Sequence, residues 1–102
     1  MRILRLPASF IWDEGNLVKN LKKHRVTIQE AEELFSSEPF TAILDDKHST
    51  ANEKRYQALG KTKINRKLFT AFTIRNNKIR IISVRDMNRR EKAAYEKLET
   101  NS

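Results

Sequence analysis

Two apolar runs separated by a pair of asparagines constrain this chain more than any other feature. Lys67 to Arg75 sets Leu68 and Phe72 on one side and Phe69 and Ala71 on the other, and Ile79 to Val84 is rich in β-branched residues. Between them lies Arg75-Asn76-Asn77-Lys78, and asparagine tolerates the left-handed backbone of a tight hairpin turn. A strand apolar on both sides is expected to be covered on both faces, so the hairpin calls for helices around it.

The rest of the chain supplies them. Phe10-Ile11-Trp12 predicts a short strand leading into a helix, with Asp13 as N-cap and Trp12 and Leu17 spaced as a hydrophobic staple. Leu17, Val18 and Leu21 form the expected apolar face of that helix, which ends near His24-Arg25. Thr27 and Glu30 have the spacing of a capping box and open a second helix, with Ile28, Ala31, Leu34 and Phe35 as its buried stripe. Strands are expected over 40–44 and 55–59, divided by the polar loop 45–52. Asn88 and Glu91 open a last helix running to about Leu98, with Ala94 and Leu98 turned inward. The fold class is α+β: an antiparallel β-meander with two N-terminal helices and one C-terminal helix. One domain, 10–102, follows an extended N-terminal arm, 1–9.

Charge narrows the function. Among 102 residues, 21 Lys and Arg stand against 13 Asp and Glu, a net charge of +8. A domain this small and basic points to a polyanionic partner, with RNA or DNA ahead of a membrane surface. No cysteine means no disulfide, no thiol chemistry and no zinc-finger ligand set, and fits a reducing cytoplasmic location. No apolar stretch reads as a signal peptide or membrane span.

The stretch from Arg80 to Glu91 carries the sharpest functional signal. Arg80 interrupts an apolar strand, and Arg89 and Arg90 occupy the first turn of a helix, where cations oppose the helix dipole. Free amides, the positive helix end and guanidinium groups would together hold a phosphate. Strand alternation, however, sets Arg80 and Arg85 on opposite faces unless a bulge intervenes.

Several positions also resemble a known family in order. They are Trp12-Asp13-Glu14, Asn20, Lys23-His24, Ala31, Phe35, Glu53-x-Arg55-Tyr56, Gly60, Arg80-Ile81-Ile82-Ser83, Arg85, Glu91 and Tyr95-Glu96. Spread over about residues 10–96, they are similar to the BrnT toxins. The resemblance implies a RelE-like fold and a metal-independent endoribonuclease toxin of a type II toxin–antitoxin system. It also implies a BrnA-like DNA-binding antitoxin, which would neutralise the toxin and carry operator DNA contact. Three positions depart from the family pattern: Arg25 replaces a glycine, Val84 an alanine and Met87 a small residue. Arg25 must then take a left-handed conformation or end the first helix differently.

For such a reaction Lys23, His24, Glu53, Arg80 and Arg85 are the candidate catalytic residues, and Arg55, Arg89 and Arg90 the candidate RNA phosphate ligands. Each has a structural alternative. Lys23 and His24 complement a helix C-terminus; Glu53 either acts as a base or orients Arg55 or Arg80; Arg80 binds phosphate or pairs with a carboxylate. Asp45, Asp46 and His48 are read as a solvated loop, with His48 able to donate a proton near neutral pH. No metal or other cofactor is expected. Phe40 and the arm are weak candidates for antitoxin contact. The competing reading is a non-catalytic basic module that binds nucleic acid or antitoxin in operon repression.

Overall fold

The computed structural model describes residues 6, 7 and 9–101, Leu17 by its backbone alone. In chain order the elements are β1 (Phe10–Ile11), α1 (Glu14–His24), α2 (Ile28–Leu34), β2 (Thr41–Leu44), β3 (Arg55–Lys61), β4 (Lys67–Arg75), β5 (Lys78–Asp86) and α3 (Arg89–Asn101). The strands form one five-stranded sheet in the order β1-β5-β4-β3-β2. From β2 to β5 every pairing is antiparallel, the expected meander. The short β1 joins parallel to β5, so the sheet as a whole is mixed. Most of the expected 1–9 arm lies outside the described residues. At its end, Leu6 packs against the core and the Ser9 carbonyl accepts from the Ile79 amide.

The local signals for helix ends act as their chemistry requires. Asp13 accepts from the Asn16 amide, and Thr27 and Glu30 exchange the two bonds of a capping box. Asn88 and Glu91 do the same at α3. Arg25 adopts the left-handed conformation, φ 54°, and its amide closes α1 onto the Asn20 and Leu21 carbonyls. The strain of a non-glycine residue there is offset by Arg66, whose guanidinium donates to the carbonyls of His24 and Arg25.

One face of the sheet carries the core. Leu68, Phe72, Ile79, Ile81 and Val84 are buried with Ala58 against Ala31 and Leu34 of α2. Phe35 meets Phe10, Phe40 and Phe72 with ring centroids 5.1–5.6 Å apart. Gly60 lets α2 close on the sheet, because a Cβ there would stand 2.6 Å from the Leu34 carbonyl oxygen.

Two helical faces differ from the sequence expectation. In α1, Val18 and Leu21 are exposed, and Asn20 is buried instead. The reason is that α1 lies along the β5 edge beyond β1, where the Val84 amide needs an acceptor; Asn20 Oδ1 supplies it at 3.2 Å. In α3, Ala94 and Leu98 are exposed, and Tyr95 is fully buried. Its hydroxyl donates to the Pro39 carbonyl, and Glu96 and Glu99 reach back to sheet lysines, so polar anchoring rather than an apolar stripe sets the helix orientation. Ile28, assigned to the α2 stripe, is also exposed.

Candidate functional site

The hairpin of β4 and β5 contains the irregularity that builds the site. Thr73 pairs with Arg80 and Phe72 with Ile81, but Ala71 pairs with Ser83 and Phe69 with Arg85. Ile82 is the extra residue of a bulge. Paired residues share a face of the sheet, so Arg80, Ser83 and Arg85 all project opposite the core, with Phe69, Ala71 and Thr73 beside them. A regular strand would have separated the two arginines. On β3 the same register adds Arg55, Gln57 and Leu59 to this face.

The α3 helix covers one end of the face. Lys61 and Lys67 each meet a glutamate of α3 at 2.9 Å, Glu99 and Glu96 respectively. Arg85 lies at the border of the covered region, with its guanidinium 4.1 Å from the Phe69 ring centroid and bonded to both Glu91 oxygens at 2.8 and 3.1 Å. Between α3 and the sheet is an apolar recess of about 120 Å³, lined by Thr41, Ile43, Leu59, Phe69 and Glu91 among others.

Beyond α3 no other described element covers the face, and there Arg55, Arg75 and Arg80 gather around Glu53. Glu53 accepts from Arg75 at 2.7 Å and has the Arg55 Nε at 3.9 Å. The Arg75 hydrogen bond, with further help from Arg55 and Arg80, holds its carboxyl below the usual glutamate range. Glu53 is therefore an anion that arranges guanidinium groups rather than a proton donor. Thr73 is fully buried between Arg55 and Arg80 in the register. Arg80 itself makes one long contact, 3.5 Å, to Asp13 at the start of α1. Arg75 is not among the sequence candidates, although the strand expected over Lys67 to Arg75 puts it on the same face as Phe69, Ala71 and Thr73.

Lys23 and His24 occupy the opposite end of α1. A rise of 1.5 Å per residue separates them from Asp13 by about 15 Å. There the His24 carbonyl accepts from Arg66, and His24 lies close enough to Asp86 to help depress its pKa, behind the dominant Arg66 hydrogen bond. Lys23 is exposed and has no ion pair among the described residues. The structure thus gathers Glu53, Arg55 and Arg80 and does not bring Lys23 and His24 to them.

Arg89 and Arg90 are exposed on the first turn of α3. The anion expected at that helix end is supplied by the chain itself: Glu91 accepts from the Asn88 amide and from Arg85, while Asn88 Oδ1 takes the Glu91 amide. Arg85 and the helix end therefore form an internal clamp between β5 and α3. A concavity of about 520 Å³ lies elsewhere among Glu32, Glu33, Glu38 and Lys61, and its carboxylates suit no phosphate. Among the described residues, no three His, Asp or Glu side chains group as metal ligands.

Fold and face together define a small basic α+β domain with an arginine-lined sheet surface that no described element covers. The family described as the ribonuclease toxin, BrnT, of type II toxin-antitoxin systems has a model that matches residues 12–91, and the chain belongs to that family. Membership carries RNA as substrate and an antitoxin as partner. No curated protein matches the chain. Among the described residues no helix is long and apolar enough to cross a membrane.

Proposed function

We propose that the chain is a metal-independent endoribonuclease that binds RNA across the open sheet face and directs attack of a 2′-oxygen on the adjacent phosphate. The observation that carries this reading is the cluster of Arg55, Arg75 and Arg80 around the ionised Glu53, on a face where the bulge also aims Ser83 and Arg85. Such cleavage asks for in-line geometry and positive charge on the phosphorane-like transition state. Arg80, with most of its donors unused, is the principal phosphate ligand. Arg55 and Arg75 add to it, and Glu53 keeps them in register.

Lys23, His24, Arg89 and Arg90 meet the RNA backbone further along, outside the reacting phosphate. This arrangement is the one the RelE-like reading leads to, with products bearing a 2′,3′-cyclic phosphate and a 5′-hydroxyl. In the cytoplasm a BrnA-like antitoxin covers this face, and operator DNA is reached only through that partner.

The purified chain should cleave RNA in EDTA, and Arg80→Ala should lose cleavage while remaining folded by circular dichroism. Intact RNA across varied sequences, with and without ribosomes, would overturn the enzymatic reading. One observation favours a second reading, a binding module without chemistry: Arg85, an expected catalytic residue, is already neutralised by Glu91. A module of that kind would bind RNA with steep salt dependence and leave it intact.

A further inference from the structure

A separate group of polar side chains stands on the β2 side of the same face. Asp45 extends the β2–β3 ladder by one residue, since its amide donates to the Arg55 carbonyl at 2.8 Å. Its Oδ2 accepts from Gln57 Nε2 at 3.1 Å and lies 2.8 Å from His48 Nδ1. Gln57 projects from the same face two residues along β3 from Arg55, so this carboxylate stands on the face that carries the arginine cluster.

The loop between Asp45 and Arg55 is itself held closed. Ser49 Oγ donates to the Asp45 carbonyl at 2.7 Å and accepts from the Arg55 amide at 2.9 Å. His48 is thus fixed in place by the fold rather than carried on an unanchored loop.

The two partners divide the environment between them. The Asp45 side chain is 12% exposed and the imidazole 57%. Desolvation pushes the Asp45 pKa up, but the hydrogen bonds from His48 and Gln57 outweigh it and keep the carboxyl ionised. A carboxylate against Nδ1 makes that nitrogen the donor and orients the ring, leaving Nε2 as the nitrogen that can exchange a proton with a substrate. Nε2 has no protein partner among the described residues, and the ring is exposed enough for a substrate oxygen to reach it.

We infer that His48, oriented by Asp45, is the proton donor to the leaving 5′-oxygen in RNA cleavage at the open sheet face. The inference rests on the ribonuclease reading given above. In the step, the 2′-oxygen forms its bond to phosphorus as its proton passes to solvent. The bond from phosphorus to the 5′-oxygen breaks, its electron pair stays on that oxygen, and the Nε2 proton neutralises it. Solvent then returns a proton to His48.

The test compares two RNA substrates, one with an ordinary 5′-oxygen and one with sulfur at that bridging position, whose thiolate leaves without protonation. His48→Ala, at an exposed site that should not disturb folding, is expected to slow single-turnover cleavage of the oxygen substrate about 100-fold. Cleavage of the sulfur substrate should stay within about threefold of the wild type, the split that loss of a general acid produces. Asp45→Asn should shift the oxygen substrate in the same direction by about tenfold, since it leaves the donor but not its orientation. Equal slowing of both substrates by His48→Ala, or no slowing of either, overturns the assignment while leaving the ribonuclease reading intact. A wild-type chain that cleaves neither substrate overturns both.

Discussion

Arg66 and Arg80 are equally sheltered, with side chains 24% and 21% exposed, yet one is saturated and the other is nearly free. All five N–H donors of Arg66 are used: two on Asp86, one on Glu30, and one each on the carbonyls of His24 and Arg25. Among the described residues the Arg80 guanidinium has a single hydrogen bond, 3.5 Å to Asp13. A guanidinium whose donors all point to fixed acceptors ties elements together and has nothing left for a ligand. One that is anchored by its stem on a strand, with open donors beside two more arginines, is available for a phosphate. Burial does not distinguish the two roles; the count of satisfied donors does.

The largest effect that could break this contrast lies at Arg66. Arg66→Ala leaves Asp86 and the His24 and Arg25 carbonyls without their side-chain donor and takes one of the donors from Glu30, and should cost about 3 kcal/mol of stability by urea denaturation. Cleavage per folded molecule should be unchanged. Lost activity with intact stability would place Arg66 in the site and dissolve the distinction.

Next in size is Arg80→Lys, which keeps the charge but not the planar fork. It should lower kcat/KM about tenfold with stability within about 1 kcal/mol of the wild type, because its Asp13 contact is long and exposed. Wild-type activity would mean that only the charge matters there.

The α1 helix touches both regions, from Asp13 beside Arg80 to His24 beside Arg66. Asn20→Ala removes the acceptor of the Val84 amide and should cost about 1 kcal/mol, measurable as earlier hydrogen exchange along the β5 edge. Unchanged exchange there would show that the edge is held without Asn20.

The smallest effect is the pH response. Asp86 and Glu30 have pKa values lowered in the folded chain, Asp86 chiefly by Arg66 hydrogen bonds and Glu30 by the Thr27 amide with Arg66 assisting. Their stabilisation is complete above the unfolded carboxylate range and is lost as pH falls through the lower folded values. Arg66→Gln should therefore flatten the acid limb of the stability profile, while Arg80→Gln should leave that limb nearly unchanged. Parallel acid limbs for the wild type and Arg66→Gln would remove Arg66 as the cause.

Much of the fold was legible because the signals are local. The Asn76-Asn77 hairpin and the capping boxes at Thr27 and Asn88 all depend on residues within four positions of one another. The inward faces of α1 and α3 were not legible, because each is chosen by what it meets. Asn20 turns inward to satisfy a strand amide 64 positions away, and Tyr95 to reach the Pro39 carbonyl. Of the site, Glu53, Arg55 and Arg80 were readable as candidates from charge in a strand context and from the family resemblance. Arg75, at the end of its expected strand, has no charge partner within the strand to mark it, and the pairing of His48 with Asp45 and of Asp45 with Gln57 depends on the β2–β3 register.

The sequence by itself determined the α+β order, the hairpin and its turn, the helix caps, the basic charge and the family. Tertiary structure decided which cations share a surface. A single extra residue, Ile82, reverses the facing of everything after it on β5, and strand alternation cannot reveal a bulge that appears only when β5 pairs with β4. The same packing assigned Arg85 to Glu91 and Arg66 to the α1 end, because donor satisfaction depends on acceptors brought from distant parts of the chain.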